Sequence, residues 1–215
     1  MIIGLGIKEQ IQYDAKKATD KLELVYLNPQ ANIEDIKNVC EQAKAQNYVS
    51  VCIPQWFVSF AKETLKESGV KVSTIVGLPG GTTSRFAKYA EVKEAIKNGV
   101  DEVVIPMNMA LIENNDMPNA LIDLAEAMIP AKGKATVAAL IENNIVSEEK
   151  LNSAIDVAIS SGLEYIMISN VQKGANFTTQ QAKELTARMA GKAELRVLGN
   201  VINLNLANSM LESGV

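Results

Sequence analysis

At 215 residues the chain suits one domain with a full-sized core, and 47% apolar with 21% charged residues is the balance of a globule, not of a disordered chain. A net charge of −4, with no basic cluster larger than Lys16 and Lys17, argues against a nucleic-acid or acidic-membrane surface. Without histidine, and with Cys40 and Cys52 outside any CxxC spacing, no zinc site or disulfide framework can be built, so no metal or cofactor is expected.

Met1 to Ile7 is apolar, but it has no basic n-region and no A-x-A-like site, so it reads as neither a signal peptide nor a membrane span. The expected location is the cytoplasm, with both thiols buried and reduced. From residue 20 onward, apolar runs rich in Val and Ile predict strands at about 22–28, 48–54, 71–78, 101–107, 135–142, 164–170 and 194–199, with helical periods between them. In the first such helix Asn32 stands as the cap, and Ile33, Ile36, Val39, Cys40 and Ala43 form one apolar stripe. The helix at about 178–190 repeats the pattern, with Thr178 and Gln181 as its capping box and Ala182, Leu185 and Met189 as its stripe. Strand and helix alternating at roughly 25–30 residues per unit imply a parallel sheet, either a closed (β/α)8 TIM barrel or an open doubly wound sheet. The regularity favours the barrel, and with no linker or low-complexity segment residues 1–215 form a single domain.

Barrel chemistry gathers at the C-terminal ends of the strands. Those ends carry Asn28, Gln55 with Trp56, Asn108, Glu142 with Asn143 and Asn144, Asn170 with Gln172, and Asn200. Carboxamides donate and accept hydrogen bonds without titrating, so such a mouth suits holding hydroxyls or a nucleobase better than moving protons. Asparagine at these positions also suits helix caps and turns. Glu142 is the ionisable acid or base placed there, whereas Asp101 and Glu102 open their strand on the opposite, stability face, where a solvated role is expected.

The segment from Gly162 to Gly174, GLEYIMISNVQKG, resembles the sixth strand of the deoxyribose-phosphate aldolase family, which runs roughly G-A-D-F-V-K-T-S-T-G. The resemblance extends over nearly all of residues 22–214. Leu27-Asn28-Pro29 stands for L-K-P, Val49 to Pro54 for V-C-V-x-P, and Thr74 to Gly81 for T-V-I-G-F-P-x-G, while Glu91 to Glu102 follows E-x-K-x-A-I-x-x-G-A-D-E. It implies a barrel, but the positions that carry the family's chemistry differ. Met167 stands where the resemblance places the Schiff-base lysine, and Val104 where it places an aspartate that assists proton transfer. Ala138 and Arg196 replace two further lysines, and a thioether has no nitrogen with which to form an imine. Lys71 and Lys134 begin strands, on the wrong face, which leaves Lys173 in the loop after strand 164–170 as a substitute amine or a phosphate contact.

Val104, Ala138 and Met167 are expected to converge as an apolar patch inside the barrel, with Arg196 reaching Glu142, a loop carboxylate or an anion. Gly199 survives from the family's phosphate site while its partner glycine is Asn200, so phosphate binding there should be weak or absent. The family's eighth strand, a pattern like G-A-x-R-I-G-T-S, has its counterpart at the other end of the sequence, in Met1 to Gly6. The expectation is a circularly permuted barrel closed by residues 2–6, with Gly4 and Gly6 returning beside Gly199 and residues 8–18 helical. The implied function is a deoxyribose-phosphate-aldolase-like barrel without Schiff-base activity. It would bind a small polar, phosphosugar- or nucleoside-like ligand, or dock on an active paralogue or a second copy of itself as a homo-oligomer. The alternative is an active lyase using Lys173 as amine, or a different reaction using Glu142.

Overall fold

The computed structural model describes residues 2–5, 19–143, 147–170, 177–199 and 204–215. Seven strands form one curled parallel sheet: β2 (Leu22–Val25), β3 (Ser50–Cys52), β4 (Lys71–Ile75), β5 (Glu102–Pro106), β6 (Thr136–Glu142), β7 (Tyr165–Ser169) and β8 (Glu194–Leu198). They fall within the ranges predicted from the apolar runs. Between the two edges of this sheet lies β1 (Ile2–Leu5), parallel to both, with Ile2 opposite Leu22 on one side and Val197 on the other. These pairings close the barrel and remove the open-sheet alternative. Residues 8–18, read as a helix, lie outside the described residues.

The outer helices are α1 (Ile33–Gln46), α2 (Val58–Thr64), α3 (Arg85–Lys97), α4 (Met109–Glu113), α5 (Met117–Met128), α6 (Glu148–Ser160), α7 (Thr179–Met189) and α8 (Leu204–Leu211). Local chemistry starts them where expected. Asn32 and Asp35 exchange side-chain and backbone bonds as the capping box of α1, and Thr178 and Gln181 do the same for α7. One member of the α1 stripe is misplaced: Ile36, Val39, Cys40 and Ala43 are buried, but Ile33, in the first turn, is exposed.

The continuous apolar runs of the strands divide by alternation into two cores. Leu24, Val51, Val103, Ile105, Ala139, Ile141, Ile166, Ile168, Leu195 and Val197 face the helices. Their alternates Val25, Cys52, Ile75, Val104, Ala138, Leu140, Met167 and Leu198 face one another inside the barrel. Lys88 breaks the apolar rule between helices and sheet. It sits on the buried stripe of α3 with Val92 and Ala95, fully enclosed, and its Nζ bonds Asp123 Oδ2 on α5 at 2.5 Å and the Pro106 carbonyl at 3.3 Å. The pair satisfies both buried charges and ties two helices to the end of β5.

A strand with neighbours on both sides has no spare N–H, so Ile3→Pro removes a ladder hydrogen bond at the closure. We expect a loss of roughly 1–3 kcal/mol of unfolding free energy by urea titration, the cost of leaving a buried backbone group unsatisfied. A change below about 0.5 kcal/mol, the size of an ordinary surface substitution, would show that β1 does not carry the closure.

Candidate functional site

The mouth residues divide into those committed to local structure and those left open. Asn28 is exposed, and its Oδ1 accepts the Gln30 N–H at 2.9 Å, the turn role that asparagine often plays. Gln55 donates to the Glu91 carbonyl at 2.8 Å, while Trp56 is 89% exposed. At the ends of β6 and β7, Asn143 Nδ2 donates to Oδ1 of buried Asn170 at 3.0 Å, and half-buried Glu142 completes β6 beside them. Asn108, half-buried after β5, presents a buried Oδ1 with no partner among the described residues, and the same holds for Thr83 Oγ1 in the preceding mouth loop. That loop is seated by Gly81 at φ 68°, where an added Cβ would lie 2.4 Å from the Pro106 carbonyl oxygen. Gly199 is buried at the end of β8 against Phe177, and Gly4 lies within β1. Asn144, Gln172, Lys173, Asn200 and Gly6 lie outside the described residues. Gly199 and Asn200 are therefore not seen together, and the alternative amine is not located.

Below the mouth, Val104, Ala138 and Met167 do converge, in the inner apolar cluster with Val25, Cys52, Ile75, Leu140 and Leu198. Met167 is 1% exposed and Val104 and Ala138 are fully enclosed. Among the described residues, no group of His, Cys, Asp or Glu gathers as a metal site.

Nearer the N-terminal ends of the strands lies a charged layer. Arg196, at 8% exposure, makes a short ion pair with Glu102 and stacks on the Tyr165 ring at 3.8 Å from its centroid. Its partner is therefore Glu102, not Glu142, a loop carboxylate or an anion. The solvated role expected for Glu102 is also corrected: two residues before inward-facing Val104, it turns inward as well and is buried. Asp101 next to it faces the other way, half-buried, holding Lys62 Nζ and the Val72 N–H.

Glu23 belongs to this layer and was missed, although its place two residues before inward-facing Val25 was a usable signal. It is 2% exposed, and its Oε1 accepts from Ser50 Oγ at 2.7 Å and Ser73 Oγ at 2.5 Å, while Oε2 has no partner among the described residues. Burial, with repulsion from Glu102 next, pushes its carboxyl up from 4.5 to about 7, against the hydrogen bonds from Ser73 and Ser50 and the attraction of Arg196. Burial first, then the Glu23 charge, pushes the Cys52 thiol well above its usual range, which keeps it a neutral packing group.

Glu23 is better accommodated protonated, so its contribution to stability is complete below pH 4.5 and is lost as pH rises through about 7. Glu23→Gln should therefore stabilise the protein at pH 8, by as much as roughly 3 kcal/mol, with the gain shrinking toward zero as pH falls to the ordinary carboxylate range. Urea unfolding of both proteins at several pH values reads this out, and a gain that grows toward acid pH would contradict it.

Over residues 11–135 the sequence matches the DeoC/LacD family aldolase. The deoxyribose-phosphate aldolase of Mycoplasma capricolum is 29% identical over 198 residues, covering 92% of this chain and 89% of the relative. That of Carboxydothermus hydrogenoformans is 29% identical over 217 residues, covering 100% and 90%. Among solved structures, the aldolase QR15 superposes with a TM-score of 0.87 at 20% identity, covering 93% of this chain and 89% of its own. The deoxyribose phosphate aldolase of Aeropyrum pernix, described as a unique tetramer, superposes at 0.80 with 16% identity, covering 92% and 84%; at such identities the likeness speaks for the fold alone. With a family match spanning more than half of its length, the chain belongs to the DeoC/LacD aldolase family.

Proposed function

We propose that this barrel has lost Schiff-base aldolase chemistry and holds a small polar ligand, phosphosugar- or nucleoside-like, at its mouth. One observation carries the reading: the side chains at 104, 138 and 167, where the resemblance calls for an acid and two amines, form a single buried hydrocarbon cluster. Neither an imine nor a proton relay can be built from valine, alanine and methionine. Lys88 does not substitute, because its amine is enclosed between helices and sheet and bound to Asp123. The unpartnered Asn108 and Thr83 oxygens and the Asn143–Asn170 pair supply the hydrogen-bonding groups that ligand hydroxyls would meet, with Glu142 at their side. Asn28, Gly199, Gly4 and, from the sequence, Gln172, Asn200 and Gly6 complete the proposed rim.

The same reading takes residues 2–6 as the family's eighth strand moved to the front of the chain, a permutation supported by the parallel fit of β1 between β2 and β8. It also allows assembly with itself or with an active paralogue in the cytoplasm. The aldolase names of the relatives favour the alternative, lyase chemistry through Lys173 or acid–base use of Glu142.

Borohydride reduction in the presence of deoxyribose 5-phosphate or acetaldehyde, read by intact mass, should give no adduct, and a stoichiometric adduct on Lys173 would sink the non-catalytic reading. A thermal-shift screen of sugars, phosphosugars and nucleosides should find a stabilising ligand whose effect is lost in Asn108→Ala.

A further inference from the structure

The opposite face of the barrel carries a second opening. A cleft of about 670 Å³ lies at the N-terminal ends of β4, β6 and β7, rimmed by Lys71, Lys132 and Lys134 and lined within by Thr136 and Tyr165. None of the three ammonium groups has a hydrogen-bond or ion-pair partner among the described residues. Asp101, on the same cleft, is already committed, with both oxygens on Lys62 Nζ at 2.7 Å and one also on the Val72 N–H at 2.8 Å. That leaves Glu164, exposed, against three cations, in a chain whose net charge is −4. Gly133, at φ 70° with open space around it, lets a tight turn present Lys132 and Lys134 on either side. Tyr165 is half-buried, and the Arg196 guanidinium over its ring holds it as a rigid inner wall.

An unneutralised group of cations around one concave opening attracts and holds an anion. The volume is that of a small-molecule site, larger than a single phosphate would fill. We propose that this cleft binds a multiply charged phosphoryl group, free as pyrophosphate or carried by a nucleoside diphosphate whose ring system lies along Tyr165. The site stands on its own residues and is independent of what the mouth holds.

The test is calorimetric titration of the full chain with pyrophosphate and with ADP, at constant ionic strength against a chloride control. Saturable binding is expected, weakened roughly tenfold or more in a Lys71→Ala, Lys132→Ala, Lys134→Ala variant, since charge-assisted contacts to phosphate are lost. These lysines are exposed, so the variant is expected to fold, and its unfolding curve checks that. Tighter binding of ADP than of pyrophosphate assigns the site to a nucleotide, and equal affinity assigns it to the bare anion. No binding beyond the chloride control, or full affinity in the triple variant, overturns the proposal.

Discussion

The structure depends on the alternation of side chains along parallel strands that close on themselves. Every second residue of each strand points into a narrow interior, and in a closed barrel that interior has no outlet through the sheet. A side chain placed there must find its partner among the other inward residues or remain unsatisfied in a low-dielectric space. Arg196 and Glu102 meet this condition across the barrel, and Tyr165 completes the guanidinium's surroundings. Glu23 meets it only in part, with two serine hydroxyls on one oxygen and none on the other among the described residues, and its burial, with repulsion from Glu102 next, raises its carboxyl to about 7.

The hydrocarbon cluster above that layer follows the same logic. A lone lysine or aspartate at 104, 138 or 167 would be a buried charge without a counterion, costing on the order of 3–5 kcal/mol. With Val, Ala and Met at these positions the interior is packed hydrocarbon, and the cation at 196 is answered by a carboxylate on β5. The apolar layer lies between the mouth and the charged layer, which sets the titrating Glu23 carboxyl apart from the mouth residues.

The two ends of the barrel differ in chemistry for the same reason. At the mouth, loops leaving the strands carry neutral amides and hydroxyls, and two of these, Asn108 Oδ1 and Thr83 Oγ1, have no partner among the described residues. At the other end, lysines at 71, 132 and 134 surround an opening whose inner wall is aromatic. Neutral donors and acceptors fit polar hydroxylated molecules, and uncompensated ammonium groups fit anions.

Much of the fold was legible because its signals are local. Apolar runs of strand length, the Asn32 and Thr178 caps, and the apolar identity of positions 104, 138 and 167 can be read from a few neighbouring residues, and the structure keeps them. The pattern in Met1 to Gly6 pointed to a closing strand through its likeness to a family motif, and the pairing of Ile2–Leu5 with β2 and β8 then located that strand. What remained hidden were the meetings of distant residues: Arg196 with Glu102 at a separation of 94, Glu23 with Ser73 at 50, Lys88 with Asp123 at 35. Periodicity says which face of a strand a residue occupies, but the stagger between strands around a closed barrel decides which inward residues stand level. Those contacts, and with them the charge of the interior, were decided only by the tertiary structure.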